Sequence, residues 1–187
     1  MVDAAIAWLR DRKGKFFLWV HLYEPHAPYE PPPPFREKFP DDPYAGEVAA
    51  ADAQVGRLLE ELQRLGLAPS TAVAVLGDHG EALGNHGEST HGLLLYEPTT
   101  RVPLVLRAPG LLPAGQVVAT PVSTVDLAPT LARLAGASVH DRFARDGRDL
   151  SPWLKKREEP PGRTLFAETL YPGSFGWAGL FAVRQGK

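Results

Sequence analysis

The sequence has 187 residues, 44% of them hydrophobic and 22% charged, with a formal net charge of −2. That is enough chain for one domain with a sizeable core, and the near-neutral balance excludes the basic surface of a nucleic-acid-binding protein or a polybasic membrane patch. No run approaches the ~18 apolar residues of a transmembrane helix, and the absence of cysteine excludes disulfides, thiolate metal sites and a cysteine nucleophile within these residues.

Residues 2–10 (VDAAIAWLR) read as the end of an amphipathic helix, without the charged start, apolar centre and small-residue cleavage site of a signal peptide. The compartment is therefore unknown. Phe16 to Leu22 (FFLWVHL) is a continuous apolar run, the pattern of a strand buried on both faces, and His21 within it reads as a core histidine. Eight prolines then fall between Pro25 and Pro43, a density that predicts an extended loop and excludes a helix or central strand. From about Tyr44 to Leu65 apolar residues recur at helical spacing (Val48, Ala51, Val55, Leu58, Leu59, Leu62, Leu65), with Gly66 as C-cap. Glu47 and Asp52 on this helix read as solvated or capping residues.

Thr71 to Leu76 (TAVAVL) predicts a second buried strand, which runs into Gly77-Asp78-His79-Gly80 and a polar, glycine-rich loop reaching about Gly92. Val102 to Leu106 predicts a third strand. Residues 124–135 predict a helix closed by Gly136, with Pro129 in its first turn. Thr164 to Glu168 predicts another strand, and Trp177 to Val183 the first strand of a hairpin whose partner lies outside the sequence. Strands alternating with helices imply an α/β fold, a largely parallel sheet flanked by helices. In such sheets ligands bind beyond the carboxyl ends of the strands, where two of the predicted strands here deliver histidine- and acid-rich loops.

Three features there carry chemistry. Asp78 and His79, between glycines that let the chain bend sharply, suit joint ligation of a cation; they equally suit a turn-capping aspartate followed by a surface histidine. His79, His86 and His91 place three of the six histidines within thirteen residues, as metal ligands, as donors to an anionic ester, or as solvated loop residues. His26, between Pro25 and Pro28, is held at a strand's carboxyl end, suited to substrate contact or to a hydrogen bond within the loop. Ser70, Ser89, Thr90 and Ser123 carry no nucleophile-elbow motif and no P-loop context.

Taken in order, these segments resemble the sulfatase family of the alkaline phosphatase superfamily, over about residues 15–186. The matching pieces are His26-Ala27-Pro28-Tyr29, then Tyr44, Glu47, Val48 and Asp52, then Asp78-His79-Gly80 and His91-Gly92. Tyr96-Glu97, Arg101-Val102-Pro103-Leu104, and Ser123, Asp126, Leu127, Pro129, Thr130 and Leu131 complete the set. The resemblance implies an alkaline phosphatase-like α/β fold incomplete at both ends, with residues 1–187 forming a single partial catalytic domain, its C-terminal portion. It implies metal-dependent hydrolysis of sulfate esters, with phosphodiester, phosphomonoester or phosphonate hydrolysis, or a non-catalytic metal- or anion-binding remnant, as alternatives. Asp78 and His79 would ligate one divalent metal: calcium or magnesium by resemblance, manganese or zinc because His79 adds nitrogen. His26 and His91 would be catalytic and substrate-binding, His91 standing where many relatives carry lysine, and His86 would be a further substrate contact. The substrate would be a small-molecule or glycan sulfate ester, with no nucleic-acid partner. The family's Cys/Ser-x-Pro-x-Arg nucleophile motif is absent from these residues, so the 187-residue chain alone is expected to be an inactive fragment.

Overall fold

The computed structural model describes residues 1–137 and 146–186. The chain divides into two compact units, Met1–Pro69 and Ser70–Lys187.

In the first unit, α1 (Val2–Asp11) buries Val2, Ala5, Ile6 and Leu9, a stripe at the spacing of one helical face. It packs on α3 (Pro43–Arg64), the long helix expected from its periodicity. The sequence explains where α3 begins and ends. Asp42 caps it by accepting the Ala45 amide at 3.0 Å, Pro43 occupies the first turn, and Gly66 leaves it in the left-handed region at φ 68°. Ion pairs from Arg10 to Glu61 and from Arg57 to Asp3 join the two helices.

Four expectations for this unit are corrected. Residues 16–22 form neither helix nor strand among the described residues, and Phe17 and Trp19 are 79% and 77% exposed. His21 is exposed, so it is not a core histidine. A continuous apolar run reports backbone preference but not whether a partner strand lies beside it, and a strand exists only through that partner. The proline-rich stretch is not wholly extended: a single helical turn, α2 (Phe35–Lys38), fits between Pro34 and Pro40. Its four residues contain no proline, so its backbone donors are intact. Finally, Glu47 is not solvated. It is 3% exposed.

Gly46, one residue before Glu47, lets α3 approach the proline-rich stretch. A Cβ there would lie 2.8 Å from Cγ of the buried Pro31. The approach brings Glu47 under the loop, where Oε2 accepts the His26 amide at 2.9 Å and Oε1 the Glu30 amide at 2.7 Å. The carboxylate thus replaces the ladder partners that prolines deny this segment.

In the second unit, β1 (Val73–Leu76) pairs with β2 (Leu104–Arg107), with Val73 opposite Arg107 and Leu76 opposite Leu104. The pairing is antiparallel. A second antiparallel pair joins β3 (Leu165–Thr169) to β4 (Leu180–Arg184). The largely parallel sheet expected from the strand–helix alternation is therefore not what the described strands form. The residues linking β1 to β2 hold a loop and the short helix α4 (Glu97–Thr100) rather than the long helix that usually makes a parallel crossover. The C-terminal strand also has its partner within the chain, namely β3.

The helix expected over 124–135 begins as a 3-10 turn at Thr124–Asp126 and continues as α5 (Leu127–Leu134), with Pro129 in its first turn and Gly136 at φ 71°. Asp126 is fully buried. Its carboxylate accepts the amides of Ser123 at 3.0 Å and Arg148 at 2.7 Å and pairs with the Arg163 guanidinium. The Thr130 hydroxyl donates to the Asp126 carbonyl at 2.7 Å and accepts the Leu150 amide at 2.9 Å, fastening the start of α6 (Ser151–Lys156) to α5. The Ser-x-x-Asp-Leu-x-Pro-Thr segment is thus a structural knot whose polar groups are paired.

Candidate active site

The carboxyl end of β1 sets the site. Gly77 extends the strand contact, its amide donating to the Pro103 carbonyl at 3.3 Å, and the chain then turns through Asp78 and His79. Gly80 closes the turn with its amide on the Thr99 carbonyl at 2.8 Å. A Cβ at Gly80 would lie 2.0 Å from the Pro98 carbonyl oxygen, so only glycine fits. Asp78 and His79 are left on an exposed turn with a fixed exit.

Asp78 Oδ1 accepts the His79 amide at 3.0 Å, and His79 Nε2 lies 3.8 Å from that same oxygen. His79 Nδ1 sits 3.0 Å from the Gly80 carbonyl, which can only accept, so Nδ1 carries the proton and Nε2 the lone pair of the neutral ring. An orienting bond of this kind on the distal nitrogen is typical of metal-bound histidine. A carboxylate oxygen and an imidazole lone pair side by side fit part of the ligand shell of a divalent cation. Among the described residues no group of three or more His, Cys, Asp or Glu side chains could hold an ion. Asp78 and His79 offer two donor atoms, fewer than the complete shell of a divalent cation.

His91 meets this pair across the loop. Its ring stacks on His79 with centroids 3.9 Å apart and planes 29° from parallel, and its Nδ1 lies 3.3 and 3.4 Å from the two carboxylate oxygens of Glu81. The loop that carries it is built rather than loose. Glu88, 4% exposed, accepts the amides of Leu93 at 2.7 Å and Leu94 at 3.3 Å, and the Ala82 amide donates to the Thr90 carbonyl at 2.8 Å. Thr169 donates its hydroxyl to the Gly92 carbonyl, tying the loop to β3.

The structure thus brings Asp78, His79 and His91 together. His86 is placed differently: it occupies a left-handed conformation at φ 56° and stacks on Tyr96, centroids 3.8 Å apart. His26 belongs to the first unit. There its Nδ1 donates to the Ala27 carbonyl at 2.7 Å and lies 3.0 Å from the Tyr23 hydroxyl, with the two rings stacked and the His26 amide on Glu47. Sequence reasoning missed Glu81 and the buried roles of Glu47 and Glu88. Glu81 carried a usable signal, since it is an acid two residues beyond His79 in a histidine-rich loop; the other two bury by contacts that no local pattern reveals.

The cluster of Asp78, His79 and His91 lies at the carboxyl end of β1, and comparison with known proteins identifies the family. The sulfatase family model matches residues 1–137. The chain is 37% identical to mouse (Mus musculus) steryl-sulfatase over 165 residues, covering 82% of this chain and 26% of the relative. Among solved structures, it superimposes on Ps i-CgsB in complex with k-i-k-neocarrahexaose with a TM-score of 0.80 at 28% identity, over 98% of this chain and 43% of that one. The phosphonate monoester hydrolase SpPMH from Silicibacter pomeroyi matches with a TM-score of 0.65 at 29% identity, over 79% of this chain and 33% of that one.

The chain belongs to the sulfatase family, within the alkaline phosphatase superfamily. It spans about a quarter of the length of the steryl-sulfatase it matches.

Proposed function

We propose that residues 1–187 form part of the single catalytic domain of a metal-dependent sulfatase that hydrolyses small-molecule or glycan sulfate esters. The observation that carries this reading is the stack of His91 on His79, beside Asp78, at the end of β1 in a sulfatase-family chain. Asp78 and His79 hold one divalent cation together with ligands from outside these residues, and that cation supplies Lewis-acid polarisation of the ester. Carrying protons on both ring nitrogens, His91 and His26 donate hydrogen bonds from Nε2 to the ester oxygens, and one of them passes its Nε2 proton to the leaving oxygen. His86, on its Tyr96 platform, is a contact for the remainder of the substrate. The nucleophile comes from outside these residues, which contain no cysteine and no Ser-x-Pro-x-Arg.

A second reading, hydrolysis of phosphonate or phosphate esters, is favoured by the likeness to the phosphonate monoester hydrolase. The test is turnover of nitrophenyl sulfate, phosphate and phenylphosphonate by the full-length protein, with and without a chelator. Chelator-sensitive sulfate turnover, lost in His79→Ala, supports the sulfatase. Preference for phosphonate or phosphate moves the reading to the second class, and no turnover of any of the three in a metal-loaded protein overturns both.

A further inference from the structure

We infer that Glu81 is the positioning residue of this site, holding the His91 ring by its Nδ1 edge so that the opposite nitrogen is presented for ester chemistry. The inference rests on the role proposed for His91, but its observations concern Glu81 alone. The Glu81 side chain is 5% exposed. A carboxylate so far from water needs compensating hydrogen bonds, and among the described residues His91 Nδ1 is its only side-chain partner, at 3.3 and 3.4 Å. A residue serving only to fill space here would more cheaply be apolar.

The backbone around Glu81 is fixed on both sides. The amide before it, of Gly80, is bonded to Thr99, and the amide after it, of Ala82, to Thr90, each at 2.8 Å. Glu81 is thus anchored to two separate segments, of which Thr90 immediately precedes His91. With Nδ1 turned to the carboxylate, which can only accept, one proton is kept on Nδ1, and Nε2, the nitrogen that carries the second proton in the donor form, faces the other side of the ring. The same contact sets the ring plane that stacks on His79. Glu81 therefore fixes both the tautomer and the tilt of His91 relative to the Asp78–His79 pair. Comparable outer partners of catalytic or metal-bound imidazoles are worth about 10–100-fold in activity or affinity.

The test uses the full-length protein and three variants. Glu81→Gln keeps the length and an accepting oxygen, Glu81→Asp keeps the charge but withdraws it by one methylene, and Glu81→Ala removes both. Ring nitrogen–proton correlation spectra report the His91 tautomer independently of turnover. The expected result is an Nδ1–H tautomer in the parent and in Glu81→Gln, and a mixed tautomer in Glu81→Asp and Glu81→Ala. The latter two should lose about 10–100-fold in kcat with little change in KM, and Glu81→Gln should restore most of it. Should Glu81→Ala fail to fold, the contrast between Asp and Gln carries the same information. Unchanged His91 ring signals and unchanged kcat in Glu81→Asp, while His91→Ala is impaired, would overturn the positioning role alone. A normal kcat in His91→Ala would instead overturn the role of His91 on which it rests.

Discussion

Glu47, in the second turn of α3, accepts the backbone amide of His26 at 2.9 Å. A helical side chain thus holds the backbone of a proline-rich loop that has few donors and no strand partner among the described residues. Removing the acceptor strands the His26 and Glu30 amides together. Glu47→Ala should cost about 1–3 kcal/mol, the usual range for leaving buried donors unpaired, and should lower kcat through His26. Urea unfolding of the full-length protein checks the first effect. An unchanged midpoint would show that water serves these amides equally well.

Asp78→Ala and His79→Ala should each lower the divalent metal bound by the full-length protein, measured by elemental analysis. The larger loss is expected from Asp78→Ala, which also removes a charge that balances the cation. Full metal occupancy in both variants would remove these residues from the ligand shell.

The two histidines proposed to face the ester should behave differently from the ligands. His26→Ala and His91→Ala are expected to lower kcat by about 10²–10⁴ while metal content stays near normal. Comparing aryl esters of increasing leaving-group acidity then separates the roles. The variant whose defect shrinks most with the best leaving groups has lost the proton donor, and equal defects throughout would assign both residues to binding the anion.

Gly80→Ala tests the fixed exit of the metal-motif turn. Its new methyl would sit 2.0 Å from the Pro98 carbonyl oxygen, which is backbone and cannot rotate aside. A loss of about 1–3 kcal/mol or more is expected, together with weaker metal binding because the turn carrying Asp78 and His79 must shift. Parent-like thermal stability would mean that the α4 backbone yields instead.

Glu61 supplies a pH dependence in the first unit. Hydrogen bonds from Arg64 and, next in weight, from Arg10 hold its carboxyl well below the usual carboxylate range. A depressed folded-state pKa means that the contribution is present above the unfolded glutamate value of about 4.3. It is lost as pH falls towards the folded value. Both arginines are more than half exposed, so the effect is screened and should shrink with added salt. Glu61→Gln should therefore flatten the decline of stability below about pH 5, measured by urea unfolding at a series of pH values. Parallel curves for parent and variant would exclude this linkage.

What the residues determined by themselves is local. The spacing of apolar side chains, Asp42, Pro43 and Gly66 specify α3 nearly to the residue, and Gly77 and Gly80 mark the sharp turn that carries Asp78 and His79. Such features depend on neighbours within a few positions, where backbone sterics and capping act. The tertiary structure decided everything that depends on a partner distant in sequence. It left residues 16–22 without a strand partner among the described residues, turned the pairing of β1 with β2 antiparallel, and gave β4 the partner β3. It also buried Glu47 beneath His26 and stacked His91 on His79, with Glu81 at its edge. A glutamate on a helix and a glutamate in a polar loop look alike in sequence. Only the approach of α3 to Pro31, and the anchoring of the loop at Thr90 and Thr99, make each a buried acceptor.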